Sequence, residues 1–428
     1  MTTTRTGREA ARSALLTRRG SAALCGGVLT VLTALTGCTS GGSRVTDAPA
    51  PVTSTPAPTS STTGPRPSSP TPANVYAHAG AGRLQGEALK ARQLVYVPNT
   101  LSDTLQVIDP RTYRVIARYR TGREPQHVVP SWDLRTLWVN DDLGNDLVPV
   151  NPRTGRTGRP VPVADPYNLY FTPDGAHALV MAERLHRIDV RDPHTMALKR
   201  SLHVPCDGLN HADFYADQSF FVATCEFSGE LLVVDRNAAR IRKVVNLNAV
   251  HTPGATTPME AMHMHGPQAG LSPGASAMPQ DVRLTPDGTR FLVADMLRNG
   301  VWVLDARTLK VQRFLRTGKG THSIYPDRTA TRLFVANRDG GTITVLDAST
   351  LRTLHTWRLP GGGSPDMGGV SADGRTLWLS GRYDSVVYVL DTRTGKLLKR
   401  IHVDNGPHGL CLWPQPGRYS LGHTGNMR

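Results

Sequence analysis

An apolar run that ends in Asp or Asn recurs seven times along the chain, and this repeat constrains the fold more than any other feature. Successive run endings are separated by 42, 38, 46, 70, 42 and 44 residues. They lie at Asp109, Asn151, Asp189, Asp235, Asp305, Asp347 and Asp391. A period of about 40–45 residues is typical of repeat architectures in which each unit is one supersecondary element. The sequence from residue 93 onward therefore predicts seven units, with an insertion in the longest interval.

Each unit contains four short runs with the pattern of β-strands. In the sixth unit these runs are His322–Pro326, Arg332–Asn337, Thr342–Leu346 and Thr353–Leu359. Asp-Gly and Asp-Arg pairs, which favour turns, separate them. Helical repeats can have a similar period, but these runs are too short and too rich in β-branched residues to form helices. Seven four-stranded units predict an all-β fold, the seven-bladed β-propeller.

The two ends of the array are complementary. Leu94–Val97 has the pattern of a second strand, and the first unit has no inner strand before it. A spare inner-strand pattern, Pro407–Leu412, follows the last unit. We therefore expect the C-terminal strand to complete the first blade and close the ring, which removes free sheet edges. The predicted boundaries are 75–92 for a lead-in segment, 93–415 for the propeller and 416–428 for a C-terminal tail.

The N-terminus has the features of an export signal with a lipid anchor. Five arginines lie within residues 1–20, and the 17 residues Ser21–Gly37 are uncharged and mostly small or apolar. This stretch is too short for a comfortable transmembrane helix. It ends in Leu35-Thr36-Gly37-Cys38, which resembles the bacterial lipobox, so residues 1–37 are predicted to be a signal peptide and Cys38 to be acylated. The alternative is an unprocessed anchor with an incidental Cys, and Arg18-Arg19 leaves the twin-arginine export route open.

A disordered linker is predicted to follow the anchor. Residues 38–74 begin with Cys38 and then consist almost entirely of Ser, Thr, Pro, Ala and Gly. Such a segment cannot bury apolar area, and its prolines keep it extended. A tether between a lipidated Cys and a folded domain predicts a protein held at the cell membrane on its extracytoplasmic side.

The charge of the chain says little about its partners. The formal net charge is +15, and the predicted signal peptide accounts for only part of it. No run of Lys and Arg reaches five residues, so we expect no nucleic-acid partner. The basic balance predicts only a mild attraction to anionic lipids or wall polymers. We expect a monomer that binds a small ligand or a protein partner.

Three segments carry a resemblance to a known family. Leu94–Asn99, Leu333–Asn337 and Ile343–Asp347 resemble the YVTN-type, YncE-like β-propeller repeat. The resemblance extends over about residues 93–415, and it implies the propeller fold. It implies little about function, because such propellers serve many roles. Distantly similar propellers carry the haem d1 of nitrite reductases and the copper cluster of nitrous-oxide reductases.

The start of each innermost strand lines one mouth of a propeller's channel. Aligning these strands by the turn that follows them places seven polar residues or methionines at that mouth. They are His127, Asn168, His211, Asp281, His322, Met367 and His408. Imidazole, thioether and carboxylate groups around one axis form a potential transition-metal site, with copper as the leading ligand. The alternative is a polar, water-filled channel whose histidines only satisfy backbone groups.

The insertion, residues 249–278, offers a second candidate metal site. It contains Met259, Met262, His263, Met264 and His265 at close spacing. Thioethers select Cu(I), and the alternating histidines suit Cu(II). The alternative is a flexible loop with a short amphipathic helix whose methionines cover one mouth.

The remaining cysteines have structural interpretations. Cys206 precedes the inner strand of the fourth blade and Cys225 ends the strand beside it, which predicts a disulfide suited to an oxidising exterior. A thiolate copper ligand is the alternative for this pair. Cys411 lies in an apolar strand and is predicted to be a core residue.

Several catalytic classes lack their motifs here. The sequence has no Cys-x-x-Cys-His for covalent haem, no Gly-x-Ser-x-Gly elbow and no Walker or dinucleotide glycine pattern. The leading hypothesis is a surface-anchored propeller that binds a ligand, most readily copper, at its channel mouth. The alternatives are a metal- or haem-dependent oxidoreductase or cofactor-handling protein, and a structural scaffold of the cell envelope.

Overall fold

The structure is a computed structural model that describes residues 74–251 and 270–428. The predicted signal peptide, Cys38 and nearly all of the predicted linker lie outside the described residues, as do Met259, Met262, His263, Met264 and His265 of the insertion. Among the helices of the described residues, none has the length and hydrophobicity that a membrane crossing requires.

Seven antiparallel sheets form the blades of a β-propeller, which confirms the predicted fold class. A short 3-10 helix, Gly86–Lys90, precedes them. The strands are β1 (Leu94–Asn99), β2 (Thr104–Asp109), β3 (Arg114–Arg120), β4 (Pro125–Pro130), β5 (Leu137–Asp141), β6 (Asp146–Asn151), β7 (Arg156–Thr157), β8 (Val161–Pro162), β9 (Asn168–Phe171), β10 (Ala178–Ala182), β11 (Arg187–Arg191), β12 (Leu198–His203), β13 (Leu209–Phe214), β14 (Phe220–Cys225), β15 (Glu230–Asp235), β16 (Ile241–Asn246), β17 (Pro279–Leu284), β18 (Arg290–Asp295), β19 (Gly300–Asp305), β20 (Val311–Arg316), β21 (Thr321–Pro326), β22 (Arg332–Asn337), β23 (Thr342–Asp347), β24 (Thr353–Arg358), β25 (Pro365–Val370), β26 (Thr376–Gly381), β27 (Val386–Asp391), β28 (Leu397–His402) and β29 (Cys411–Trp413).

Each blade uses four strand positions, counted outward from the channel. Blade 2 comprises β4–β8, and its outermost position is divided between β7 and β8, which both pair with β6. Blades 3 to 7 comprise β9–β12, β13–β16, β17–β20, β21–β24 and β25–β28. Blade 1 combines β29 with β1–β3 in the order β29-β1-β2-β3.

The C-terminal strand closes the ring, as the sequence predicts. Cys411–Trp413 pairs antiparallel with Leu94–Tyr96, with Val95 opposite Leu412. An isolated bridge between Asn99 and Pro407 extends this pairing toward the mouth. The innermost position of blade 1 is therefore filled by the far end of the chain.

Burial follows strand position in the blade. The second strand of blade 3, Ala178–Ala182, is buried at all five residues, because neighbouring blades cover both faces of its sheet. The outermost strand of blade 1, Arg114–Arg120, is mostly exposed. Between blades 3 and 4, Tyr170, Phe214 and Phe221 belong to one apolar cluster. Each such fully buried side chain contributes about 1.5–3 kcal/mol to folding, so packing between blades holds the ring together.

Polar residues at the strand ends fix the turns. The Oδ1 of Asp347 accepts hydrogen bonds from the backbone N–H groups of Ser349 and Thr350, and Asp305 and Asp391 bond their turns in the same way. The aspartates that end the recurring runs therefore hold the turns that follow them. Asn337 at the end of β22 donates to Thr342 Oγ1 and Thr344 Oγ1, both at 3.0 Å.

Residues 416–428 run into the channel from the end opposite the mouth. Phe171 N donates to Leu421 O at 3.0 Å, and Thr424 Oγ1 donates to Gly368 O at 3.0 Å, so the segment contacts blades 3 and 7. The buried Arg428 guanidinium pairs with Asp213 of blade 4, with 2.6 Å between Nη2 and Oδ1. We call residues 416–428 the plug.

Truncation after Asn405 is expected to abolish cooperative folding. This change removes Cys411–Trp413 and the plug, exposes the edge of Leu94–Asn99 and deletes several buried apolar side chains. Removing even one large buried side chain costs about 2–5 kcal/mol, a large share of the net stability of a domain. Circular dichroism during heating should show no sharp transition.

Truncation after Trp413 is the matched control, because it keeps the closing strand and removes only the plug and the residues that lead to it. This variant should retain a single cooperative transition at a reduced temperature. Equal melting temperatures for the two truncations would show that pairing of the closing strand with Leu94–Tyr96 does not stabilise the ring.

Candidate functional site

Irregular pairing at the start of the inner strands directs side chains into the channel. The register between the first and second strands shifts at this point in five blades. The shifts fall between Pro125 and His127, Leu209 and Ala212, Pro279 and Val282, Thr321 and Ser323, and Pro365 and Gly368. Such bulges release residues from regular pairing and redirect their side chains.

The four predicted histidines lie together in the channel. Ring centroids are 5.4 Å apart for His127 and His211, and 5.0 Å apart for His127 and His408. His322 completes the group at 6.4 Å from His211 and 5.9 Å from His408. All four side chains are at least 98% buried, with exposures of 0–2%.

A fifth histidine, His423, comes from the plug. Its ring centroid lies 4.7 Å from that of His211 and 5.4 Å from that of His127. Ligand nitrogens of these three residues all lie within 4.8 Å of one another. His423 stands outside the seven-fold repeat, so alignment of the inner strands could not identify it. We call His127, His211 and His423 the histidine triad.

The triad contains buried nitrogens without partners. His127 Nδ1 lies 3.0 Å from Tyr167 O, which makes Nδ1 the donor and leaves Nε2 as the acceptor. Within the described residues, His127 Nε2, both ring nitrogens of His211 and His423 Nε2 have no hydrogen-bond partner. Buried polar atoms are normally paired, so unpaired nitrogens that converge indicate a ligand.

Asp366 organises the other two histidines. Its carboxylate oxygens lie 2.9 Å from His322 Nδ1 and 2.7 Å from His408 Nδ1. Arg338 Nη2 pairs with the same carboxylate at 2.8 Å and also contacts His322. Burial opposes its ionised form, but Arg338 and the two histidines hold the pKa of Asp366 well below its usual range. His322 and His408 therefore face a carboxylate, which the triad lacks.

The other three predicted residues lie in different surroundings. Asn168 is next to the triad, with its Nδ2 3.3 Å from His423 Nδ1. Asp281 forms an ion pair with Arg283 at 3.1 Å and accepts a backbone bond from Ile324, so its carboxylate is already engaged. Met367 is buried, and its backbone exchanges two hydrogen bonds with Ser380 Oγ.

Burial keeps the channel histidines neutral. It lowers the pKa of His127 to about 4 and that of His322 to about 4. It also lowers the pKa of His211, His408 and His423 well below the usual range, and neighbouring histidines add to the effect for His211. Neutral imidazole is the form that binds transition metals.

A pocket opens at the mouth above these histidines. Its wall includes the residues that directly follow the second strands of five blades, a position that the sequence analysis did not consider. They are Asp142, Glu183, Glu226, Arg338 and Arg382. At this position the acidic residues come from blades 2 to 4 and the arginines from blades 6 and 7. Arg184 of blade 3 also lines the pocket, and its guanidinium pairs with Asp142 at 3.4 Å. Since this position is regular in the repeat, its charge pattern is readable in the sequence. We call this cavity the mouth pocket.

The described ends of the insertion lie beside the mouth pocket. Ser272 N donates to Phe227 O at 2.9 Å, and Phe227 lines the pocket. The cysteines of the propeller are a disulfide and a free thiol. Cys206 and Cys225 form a disulfide in blade 4, with their Cα atoms 6.0 Å apart, while Cys411 is a buried free thiol.

The stability of the fold is expected to fall as the pH drops from about 6.5 to about 4. His322 has a folded-state pKa of about 4 against an ordinary value of 6.5, so the unfolded chain takes up a proton that the folded chain refuses. This single group contributes roughly 3 kcal/mol that is present above pH 6.5 and lost across that interval. Replacing it, as His322→Gln, should flatten the pH dependence of the unfolding free energy in urea.

The exposed His355 provides the control for this measurement. His355→Gln on an outermost strand should leave the pH dependence unchanged. An identical slope for wild type and His322→Gln would contradict the lowered pKa, because it would mean that His322 binds its proton equally well in the folded and the unfolded chain.

A family model described as YNCE-like beta-propeller matches residues 72–257 and 272–416, more than half of the chain. No curated protein sequence matches the chain. Many solved structures are similar in fold, and three of them illustrate the comparison. Hydrazine synthase of Kuenenia stuttgartiensis has a TM-score of 0.55 and 17% identity, and the match covers 71% of this chain and 94% of the other.

The other two structures extend the same comparison. A functionally unknown protein of Desulfotomaculum acetoxidans has a TM-score of 0.57 and 13% identity, with 75% of this chain and 99% of that chain covered. The Cps50 (Swd1) β-propeller domain of Myceliophteria thermophila has a TM-score of 0.50 and 16% identity, with 67% and 89% covered. At these identities the similarity concerns the fold alone.

Proposed function

The chain belongs to the YNCE-like β-propeller family, and on that premise we propose that it is a membrane-anchored, extracytoplasmic propeller that binds a transition metal, foremost copper, in its channel. The observation that carries the proposal is the histidine triad, His127, His211 and His423. Its three imidazoles are buried and neutral, and each has a nitrogen without a partner in the described part of the chain.

The donor set suits a single ion. A tetrahedral ion held by imidazoles at about 2.0–2.1 Å would place their nitrogens about 3.4 Å apart. The triad nitrogens lie within 4.8 Å of one another, so small side-chain rotations would bring them to that spacing. Imidazole ligands suit zinc, copper, iron and nickel, and among divalent ions of this series copper binds most strongly.

A haem-type group fits the channel less well than a single ion. The triad rings are separated by only 4.7–5.4 Å between centroids, and the plug occupies the axis beside them. This spacing leaves no room for a macrocycle between the histidines. The experiments below therefore test copper.

Export and anchoring belong to the same proposal. The lipobox-like Leu35-Thr36-Gly37-Cys38 supports acylation at Cys38, and the disulfide of Cys206 with Cys225 is favoured in an oxidising compartment. Both features are consistent with a location outside the cytoplasm.

Copper binding is expected to depend on the triad. The chain from residue 74 onward should bind one copper ion tightly, and the His127→Ala/His211→Ala/His423→Ala variant should lose that binding because no neutral imidazole cluster remains. Elemental analysis measures the copper content of the purified wild type and variant, and titration with Cu(II) in the presence of a competing chelator measures the affinity of each.

A matched variant controls for the number of histidines removed. His194, His355 and His402 are exposed, and replacing all three by Ala should leave copper affinity unchanged. If the triad variant fails to fold cooperatively, His423→Gln alone serves, with a smaller loss of affinity. A metal-free wild type that binds copper no better than the triad variant rules out the metal proposal.

Membrane attachment is expected to depend on Cys38. In the bacterial host, the full chain should incorporate a labelled fatty acid and sediment with membranes, whereas Cys38→Ser should do neither. Cys411→Ser is the control for loss of a thiol, since this buried residue lies in the closing strand. Equal labelling of wild type and Cys38→Ser would contradict the lipid anchor.

A further inference from the structure

The acidic side of the mouth pocket has the features of an ammonium site. Glu183 of blade 3 and Glu226 of blade 4 line the pocket, and within the described residues neither carboxylate forms an ion pair, while Glu226 Oε2 accepts a hydrogen bond from Asn210. Tyr167 and Phe227 belong to the same part of the wall. Carboxylates beside aromatic faces attract organic cations through both charge and the ring quadrupole.

The opposite side of the pocket presents an arginine with free donors. Arg382 Nη1 donates only to neutral acceptors, Thr100 Oγ1 at 3.0 Å and Gly406 O at 3.4 Å, and within the described residues no carboxylate pairs with it. Arg338, its neighbour, is already paired with Asp366. A guanidinium with free donors in a partly enclosed site is suited to hold a carboxylate in a bidentate pair.

Unpaired atoms in the pocket wall point to a ligand. Gln126 is only 5% exposed, its Nε2 donates to Glu124, and its Oε1 has no partner in the described structure. Glu183 Oε1 is also without a partner. Leaving such atoms unpaired costs about 1–3 kcal/mol each, which a polar ligand would recover.

We propose that the mouth pocket binds a small zwitterion of the amino-acid class, with its ammonium group against Glu183, Glu226 and Tyr167 and its carboxylate against Arg382. Gln126 Oε1 accepts a further hydrogen bond from the ammonium group. The site is distinct from the histidine triad, whose residues do not line this pocket, and it requires no metal.

The charge distribution favours a zwitterion over a simple ion. A hard metal cation would need six or more oxygen ligands and would be repelled by Arg382 and Arg338 in the same wall. A simple anion would meet the carboxylates of Glu183 and Glu226, which no cation pairs in the described part of the chain. Burial raises the pKa of Glu183 and of Glu226, and a bound ammonium group would lower both again because it favours the ionised carboxylates.

The test measures ligand-induced stabilisation of the purified chain in metal-depleted buffer. The probes are the twenty common amino acids and the straight-chain ω-amino acids from glycine to 6-aminohexanoate. For every zwitterion that raises the melting temperature, the matched amide, which lacks the carboxylate charge, and the N-acetyl derivative, which lacks the ammonium charge, are titrated by calorimetry. Both derivatives should bind roughly tenfold to hundredfold more weakly, as expected for the loss of a charged hydrogen-bonded pair.

Variants assign the two halves of the site. Arg382→Gln should weaken the zwitterion roughly tenfold or more and leave the affinity for the amide unchanged, whereas Glu226→Gln should weaken both zwitterion and amide. Arg375→Gln is the matched control, because Arg375 and Arg382 flank opposite ends of the same strand, Thr376–Gly381. Asp217→Asn is the matched control for Glu226→Gln, because Asp217 precedes the strand Phe220–Cys225 and Glu226 follows it.

Three outcomes overturn the inference. They are no stabilisation by any zwitterion of the panel, equal affinity for a zwitterion and its amide, and undiminished affinity in a folded Arg382→Gln variant. Because the buffer is metal-depleted, none of these outcomes bears on the copper proposal, and a failure of the copper titration leaves this inference intact.

Discussion

The pairing of Cys411–Trp413 with Leu94–Tyr96 is the interaction on which the channel depends. It closes the ring, and it also determines where the residues on either side of β29 go. His408 lies just before this strand and is carried into the channel beside Asp366, at 2.7 Å. The plug follows the strand directly and brings His423 to the triad. Closure of the fold and completion of the candidate metal site are thus consequences of one strand pairing.

Burial determines the protonation of nearly every polar group along the axis. It lowers the pKa of the histidines and raises the pKa of Glu183 and Glu226, so burial opposes the charged form of each of these groups. Asp366 is the exception, because Arg338 and two histidines compensate its burial. A charged or metal ligand would change this balance, since it supplies the partner that the protein omits. A bound ammonium group would lower the raised pKa of Glu183 and Glu226, whereas a metal would bind histidines that are already neutral.

The fold was predictable because its signal is repeated. Seven run endings gave the blade number, and the spare Pro407–Leu412 pattern gave the closure. Four of the histidines could be placed because inner strands share a register. His423 could not, since the plug belongs to no repeat. Asp281 was assigned to the mouth, but it pairs with Arg283 because residues two apart on a strand share a face.

Two positions in each blade differ in residue type from blade to blade, and they carry the candidate chemistry. The last residue of a second strand is committed to its turn, as Asn337 is through Thr342 and Thr344. The residue after it is held through its backbone, as Arg338 N donates to Gly320 O at 2.8 Å, so its side chain can differ between blades, as Asp142, Glu183, Met296 and Arg338 do. The residue at the bulge of an inner strand, which is present in five blades, has the same freedom. The bulge positions carry imidazoles of the buried histidine cluster, and the positions after the second strands carry the charged groups of the mouth pocket. A seven-fold scaffold can therefore hold both sites without any change in its strand pairing.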